Sequence, residues 1–390
     1  MADETVLAVN CGSSSIKFAG FTPGLERLFS GLIEEIGAGL KPRLRLSGGG
    51  EAIALPPELT THSDLLPFVL DRYVLDKAGK VLAVGHRVVH GGEQFAAPVL
   101  IDAEVLGGIE ALIPLARSHQ PHNAAGIRAA MEALPETPQI ACFDTAFHRT
   151  LTDLRQRYAI PEDWTRLGIR RYGFHGLSYE WIASRLPEML GERAKGRVVI
   201  CHLGNGASLA GLENGVSRVT SMGFTPLEGL MMGRRPGHLD PGVLLWLMEE
   251  KGLPVGEVGK ALHNRAGLMG VSGISPDMRE LLGSDAPAAR LAVEMFVDRL
   301  VQEIASAAAA VGGLDAIVFT GGIGEHAAPI RARTLEALGW LGIEFDAEAN
   351  QINAVTITRP GSKISAHVVP TDEERVIARH ALRLIGRAVR

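Results

Sequence analysis

Between residues 5 and 21 the apolar positions fall in two short runs around a polar turn. Val6, Leu7 and Val9 form one strand-like run and Ile16 and Phe18 the next, with Asn10-Cys11-Gly12-Ser13-Ser14-Ser15 between them. A glycine with neighbouring hydroxyls is what a tight connection between two strands takes, so the pattern predicts a hairpin. The plan returns at 197–213, where Val198–Cys201 meets Gly204-Asn205-Gly206 and Ala207-Ser208-Leu209-Ala210 runs back. Setting Gly12 over Gly204 brings Val6–Val9 over Val198–Cys201. The repeat predicts duplicated α/β domains that each offer a turn to a shared cleft.

The rest of the chain supplies alternating elements. Leu44-Arg45-Leu46 and Ala52-Ile53-Ala54-Leu55 extend the first sheet, Leu65–Lys77 has helical spacing, and Val81–Gly85 is a buried strand ending at His86-Arg87. Ala103–Ala116 and Ala124–Leu134 are expected as helices, with a polar loop at Ser118-His119-Gln120-Pro121-His122-Asn123, and Ile140–Phe143 as a strand delivering Asp144. The charged stretch Arg155–Arg171 is expected to cross between domains. Beyond it, Gly176 and Ser178 start a helix over Ser178–Leu186, and a Gly/Pro loop at Gly233–Gly242 precedes a helix at Val243–Glu250. Val271–Asp277 reads as a loop, and Pro287–Val311 as a long amphipathic helix for core or subunit packing. Leu314–Thr320 is a strand running into the turn Gly321-Gly322-Ile323-Gly324-Glu325, and a final helix extends to Gly386.

Composition narrows the function classes. The chain has 390 residues, 46% hydrophobic and 21% charged, which suits two domains with a large core. A formal net charge of −5 leaves no basic excess for nucleic acid or an anionic membrane, so an anionic substrate has to be held by local arginines. Cys11, Cys142 and Cys201 show no metal spacing, and with acids rather than lysines in MADETVLAVN the expected location is a reducing cytoplasm.

Several positions carry candidate chemistry. The turn at Gly12–Ser15, with Lys17, offers amides, hydroxyls and an ammonium to a phosphate chain; its other reading is a solvated turn. It lacks the Walker spacing. Arg87, at the end of an apolar strand, is placed like a binding residue, or else is a rim arginine paired with Glu93. Asp144 suits a Mg²⁺ ligand or a turn cap at Thr145, and His175 a donor to phosphoryl oxygens or a half-buried structural histidine. Together with Arg235 these point to phosphoryl transfer, where catalysis is mostly positioning and charge neutralisation. A carboxylate acceptor, already ionised at pH 7, needs no general base, but the residues alone leave an alcohol acceptor open.

The motifs Asn10-x-Gly12-Ser13-Ser14-Ser15-x-Lys17, His86-Arg87-Val88-Val89-His90-Gly91-Gly92, Phe143-Asp144-Thr145-Ala146-Phe147-His148, Tyr172-Gly173-Phe174-His175-Gly176 and His202-Leu203-Gly204-Asn205-Gly206 together resemble acetate kinases. Thr220–Gly229, Gly321–Glu325 and Thr371–Glu374 continue the match, which runs from about residue 5 to about 380. The resemblance implies the actin, Hsp70 and sugar kinase superfamily: two duplicated actin-like (ribonuclease H-like) α/β domains, mixed sheets flanked by helices, and an active site in the interdomain cleft. It implies an N-terminal domain of residues 1–150 plus about 372–390, and a nucleotide-binding domain of 151–371. It further implies ATP, Mg²⁺ or Mn²⁺, reversible formation of acetyl phosphate, and a homodimer.

By motif, Arg87 and Arg235 would hold the carboxylate and stabilise transfer, with His175 donating to the transferring group and Asp144, Glu373 and Asn10 serving the metal. Val89, Phe174 and Pro226 match the methyl pocket, flanked by Ser118 and His119. Ser13, Ser15 and Lys17 match the first phosphate loop, and His202, Gly204, Asn205 and Gly206 the second. Asp277, Met278, Arg279, Gly321, Gly322, Ile323 and Gly324 match the nucleotide pocket. Ser118 replaces the family's usual leucine, Gln120 an asparagine and Met278 an aromatic residue. The first departure keeps a propionate or butyrate kinase as the alternative. An ATP-driven clamp is the more distant rival, and arginines at the acceptor positions speak against it.

Overall fold

Val6, Leu7, Ala8 and Val9 are consecutive and all buried, which a strand allows only when both faces of its sheet are covered. In the computed structural model, which describes residues 4–37 and 39–387, this run is the middle of strand β1 (Glu4–Cys11). Residues 1–3 and 388–390 of the expected N-terminal domain lie outside the described residues. The chain divides into two compact units, Met1–Ala146 with Asp372–Arg390, and Phe147–Thr371.

The first unit holds β1 with β2 (Ile16–Phe21), β3 (Arg27–Glu34), β4 (Arg43–Leu46), β5 (Ile53–Ala54), β6 (Lys80–Val88), β7 (Val99–Leu100) and β8 (Gln139–Phe143), in the order β5-β4-β3-β2-β1-β6-β8-β7. β1 to β5 pair antiparallel, while β6 is parallel to both β1 and β8. The second unit holds β9 (Arg197–Leu203), β10 (Ala207–Glu213), β11 (Val216–Thr220), β12 (Ala316–Thr320) and β13 (Ser365–Val368), in the order β11-β10-β9-β12-β13. There too the first pairings are antiparallel and the last two parallel. The order β3-β2-β1-β6-β8 is thus repeated strand for strand, so the hairpin repeat marks a duplication of the sheet.

Alternation along each strand divides the helices between faces. Leu7, Val9 and Cys11 pack with the helices His62–Val69 and Gln120–Ala133, whereas Gly85 of β6 faces Ile377 of the helix Glu373–Leu384. In the second unit, Val198, Ile200, Ala210 and Leu212 face Tyr179, Ile182 and Leu186 of the helix Gly176–Leu190. Gly211 instead faces Ala307 of the helix Pro287–Ala310. Among the described residues no helix is long and apolar enough to cross a membrane.

Four stretches are drawn differently from expectation. The stretch expected as a loop at 118–123 is mostly helix, since Gln120, Pro121, His122 and Asn123 form the first turn of Gln120–Ala133. Proline is tolerated there, and the buried Gln120 amide bonds the carbonyls of His90 and Ile109. The stretch Arg155–Arg171, expected to cross between domains, lies in the second unit, where Arg155 Nη2 donates to the Ala310 carbonyl and Arg171 Nη1 to those of Thr220, Ser221 and Met222. The expected turn Gly321–Glu325 forms most of a short helix, Gly321–His326, and Val271 and Ser272 end the helix Gly267–Ser272.

Close packing at the end of β1 gives a stability test. A methyl at Gly126 would lie 2.3 Å from Cys11 Sγ and 3.1 Å from its Cβ. Alanine improves helix propensity by about 1 kcal/mol, but overpacking a full core costs about 1–3 kcal/mol. Gly126→Ala is therefore expected to lower the urea midpoint, and a raised midpoint would contradict the close approach.

Candidate active site

In the first unit, β1 and β2 leave Gly12–Ser15 as their turn. It is closed by the Gly12 amide donating to the Ser15 carbonyl at 2.8 Å. Asn123 Nδ2 donates to the Cys11 carbonyl (2.8 Å), while its Oδ1 accepts from the Val89 amide (2.9 Å). One buried amide thereby ties the turn to the end of β6. Ser13 and Ser14 are exposed and Ser15 is half-buried. Asn10 pairs in register with Lys17, which lines a hollow of about 360 Å³ with Arg27, Arg45 and Glu374.

The parallel register of β6 and β8 sets Arg87 beside Cys142 and Val88 beside Phe143, so the next residue, Asp144, comes alongside Arg87. Arg87 Nε lies 3.1 Å from both oxygens of the fully buried Asp144, and Nη2 lies 2.6 Å from Oδ2. Nη1 lies 3.8 Å from Glu373 Oε2, at the start of the helix capped by Asp372. Burial would lower the Arg87 pKa, but the Asp144 and Glu373 carboxylates outweigh it and raise it. The described partners of the Arg87 guanidinium are therefore Asp144 and Glu373.

Among the described residues there is no group of three or more His, Cys, Asp or Glu that could hold an ion. Two carboxylates at one edge are nevertheless the donor set of a Mg²⁺ bound chiefly by phosphate oxygens and waters. Nearby, Ser118 is exposed with its hydroxyl 2.8 Å from His119 Nδ1, and Val89 is buried.

In the second unit, β9 and β10 leave Gly204–Gly206 as their turn, with the Gly204 amide donating to the Gly206 carbonyl at 3.0 Å. His175 precedes the helix Gly176–Leu190 in a left-handed conformation (φ 58°). Its Nδ1 lies 2.8 Å from Ser208 Oγ, which also bonds the Tyr179 hydroxyl. Its ring stacks on His202 at 4.3 Å, and His202 Nδ1 in turn bonds Ser178 Oγ at 2.9 Å. A methyl on Gly206 would come within 2.7 Å of Arg235 Nη2 and 3.3 Å of His175 Nε2. Glycine at 206 is what allows both side chains to approach the turn.

Arg235 Nη1 donates to the Pro226 carbonyl at 2.7 Å, and among the described residues no carboxylate pairs with Arg235. Burial pushes its pKa down to about 10. It remains charged at pH 7, a half-buried cation that suits an anionic partner.

The loop that carries Pro226 is braced by charge. Arg171 Nη2 bonds Glu228 Oε1 at 2.7 Å, and the Tyr158 hydroxyl donates to Glu228 Oε2 while accepting from the Phe224 amide at 2.8 Å. His238 Nδ1 lies 2.8 Å from Glu303 Oε1, and its Nε2 3.8 Å from Glu228 Oε1. The neighbouring Glu228 and Glu303 carboxylates push the His238 pKa up to about 9. Burial would raise Glu228, but His238 and Arg171 outweigh it and bring it to about 2. Phe174 is buried, its carbonyl held by His148 Nε2 at 3.1 Å.

A cavity of about 710 Å³ in the same unit is lined by Gly204, Asn205, Asp277, Met278, Arg279, Gly322 and Ile323. Asp277 caps the helix Met278–Leu282 and pairs with the exposed Arg279. Gly206, His202, Gly321 and Gly324 are not among the lining residues. Gly321 has φ +75° against the Leu203 backbone, and its amide donates to Glu325 Oε1 at 2.9 Å. The Gly324 carbonyl accepts from the buried Arg331 Nη1 at 2.9 Å. Arg234, Pro276, Leu282 and His326 also line the cavity and were missed in the sequence. For Arg234 and Pro276, adjacency to Arg235 and Asp277 was the available signal.

The first unit thus holds the Gly12–Ser15 turn, Asn10, Lys17, Arg87, Val89, Ser118, His119, Asp144 and Glu373. The second holds His175, Phe174, Pro226, Arg235, the Gly204–Gly206 turn and the cavity. The sequence model of the acetokinase family matches residues 5–379. An acetate kinase of Rhodopseudomonas palustris is 48% identical over 391 residues, covering 98% of each chain. The crystal structure of Porphyromonas gingivalis acetate kinase is similar at a TM-score of 0.89 and 39% identity, covering 98% of this chain and 100% of that one. A propionate kinase from Francisella tularensis is similar at 0.90 and 38%, with the same coverage.

The raised His238 pKa has a definite sign. The stability it contributes is fully present below the unfolded value near 6.5 and is lost as pH rises through about 9. Glu228 acts at the other end, its contribution present above about 4.5 and lost as pH falls toward 2. His238→Gln is therefore expected to flatten the fall in melting temperature between pH 6.5 and 9, and an unchanged slope would refute the bracing role.

Proposed function

The chain belongs to the acetokinase family, and from that premise we propose how its residues carry ATP-dependent phosphorylation of acetate to acetyl phosphate. The observation that supports the roles best is Arg235, a half-buried cation beside Gly206 and His175 with no carboxylate partner among the described residues. In this reading, a carboxylate oxygen of acetate attacks the γ-phosphorus of ATP in line. The new O–P bond forms as the bond to the ADP oxygen breaks, and no proton has to leave the acceptor. Arg235 and Arg87 hold the acceptor carboxylate and stabilise charge on the transferring group.

His175 donates from Nε2. If Tyr179 donates to Ser208, and Ser208 to His175 Nδ1, the proton is left on Nε2. Asp144 and Glu373 fix the Arg87 fork and, with Asn10, would hold Mg²⁺, or Mn²⁺ with the same preference for oxygen ligands. When bound, the ion neutralises charge on the phosphate oxygens. The Gly12–Ser15 and Gly204–Gly206 turns cradle the phosphates, and the cavity of the second unit takes the nucleoside, its Met278 supplying apolar contact where a ring would stack. Val89, Phe174 and Pro226 form the methyl pocket.

A homodimer is supported by the helix Pro241–Glu249, of which no residue is buried and on which Leu245 and Trp246 are about half exposed. A cytoplasmic location is supported by Cys11, Cys142 and Cys201, each buried and outside any disulfide. Propionate is the second acceptor, favoured by the serine at 118.

A hydroxamate assay with ATP and acetate, propionate or butyrate tests the reading; no product with any of them would overturn it. Arg235→Ala and Arg87→Ala are each expected to lower kcat by about 10²–10³ with little change in the KM for ATP, the effect of removing one transition-state donor. Near-native turnover in either variant would remove that residue from the mechanism. Ser118→Leu should favour acetate over propionate in kcat/KM, within the roughly 10–200-fold that one methylene is worth. An unchanged ratio would show that Ser118 points away from the acyl chain.

A further inference from the structure

We propose that His62 is a positioning residue for the Gly12–Ser15 turn, an inference that rests on the phosphate-binding reading of that turn given above. His62 opens the helix His62–Val69, whose start is fixed by a capping box between Thr61 and Asp64. The residue is buried, and its Nε2 lies 2.6 Å from the Gly12 carbonyl oxygen. A carbonyl oxygen only accepts, so Nε2 carries the proton and donates. Burial lowers the His62 pKa, which keeps the ring neutral at pH 7. The His122 ring, 4.7 Å away between centroids and tilted by 38°, backs it from the first turn of Gln120–Ala133.

The consequence lies in the turn's polarity. The Cys11 carbonyl accepts from Asn123, Gly12 from His62, Ser14 from the Ile36 amide and Ser15 from the Gly12 amide. Among the described residues no backbone acceptor takes the amides of Ser13, Ser14 or Ser15. Three of the four turn carbonyls, those of Gly12, Ser14 and Ser15, are thus engaged by the chain's own donors, while the amides of Ser13, Ser14 and Ser15 suit an anion. Without the His62 proton the Gly12 carbonyl loses its donor, and its lone pairs are free to turn toward the phosphate side, where they repel.

The test compares His62→Leu with His62→Gln in the full chain. It uses calorimetric binding of the Mg²⁺ complex of a non-hydrolysable ATP analogue, together with KM values for ATP and acetate. His62→Leu should weaken analogue binding and raise the KM for ATP by about tenfold, with the acetate KM within about twofold, a scale set by one lost buried hydrogen bond. His62→Gln, whose side-chain amide can donate to the same carbonyl, should recover most of the loss. Unmoved nucleotide constants, an equal rise in the acetate KM, or no rescue by glutamine would each overturn the proposal. Should His62→Leu not fold, His62→Ala takes its place. A Ser13→Pro variant, which removes one of the turn amides, separates the two readings. Nucleotide constants unmoved in it overturn the phosphate reading and the His62 proposal with it. Constants moved in it but not in His62→Leu overturn His62 alone.

Discussion

Keeping two guanidinium groups charged in desolvated surroundings is the constraint on which the candidate site depends. Arg87 meets it with Asp144 and Glu373, so its charge is balanced and its fork is fixed from within the first unit. Among the described residues Arg235 meets it only with the Pro226 carbonyl, which satisfies a donor but does not neutralise the cation. Desolvation of an unpaired charge is costly, and an incoming anion relieves it. The two arginines therefore differ in kind: one is already ordered by carboxylates, and the other is ready for charge that the ligand brings.

The repeated hairpins reach similar ends by different means. In the first unit the turn is long and its carbonyls are engaged by Asn123, His62 and backbone amides. In the second, the turn is short and glycine-flanked, and Gly206 leaves room for His175 and Arg235 against the backbone. One duplicated sheet plan thus presents a hydroxyl-rich turn in one unit and a close-approach turn in the other.

Both hairpins were legible because short continuous apolar runs on either side of a glycine turn leave little but a pair of buried strands. The two-sheet fold followed from the same runs. Arg87 was visible as a charge ending an apolar strand, but its link to Asp144 depends on the β6 and β8 register, which spacing alone does not give. The start of Gln120–Ala133 was hidden because Gln, Pro, His and Asn look like a loop until buried partners satisfy their amides. His62 was invisible for a similar reason: its partner is a backbone carbonyl fifty residues away, a contact that no side-chain pattern records.

The first unit is also discontinuous: the helix Glu373–Leu384 covers one face of its sheet, Ile377 facing Gly85, and brings Glu373 to Arg87. On the ribosome, residues 147–371 are all synthesised before that helix exists. The usual N-terminal-first order of domain folding is thereby interrupted, since the first sheet waits with one face uncovered while the second unit can form from continuous chain. A nascent chain stalled before Glu373 lacks both the apolar cover and one carboxylate of the Arg87 site. Synthesis of that helix thus becomes a condition for assembling that end of the site.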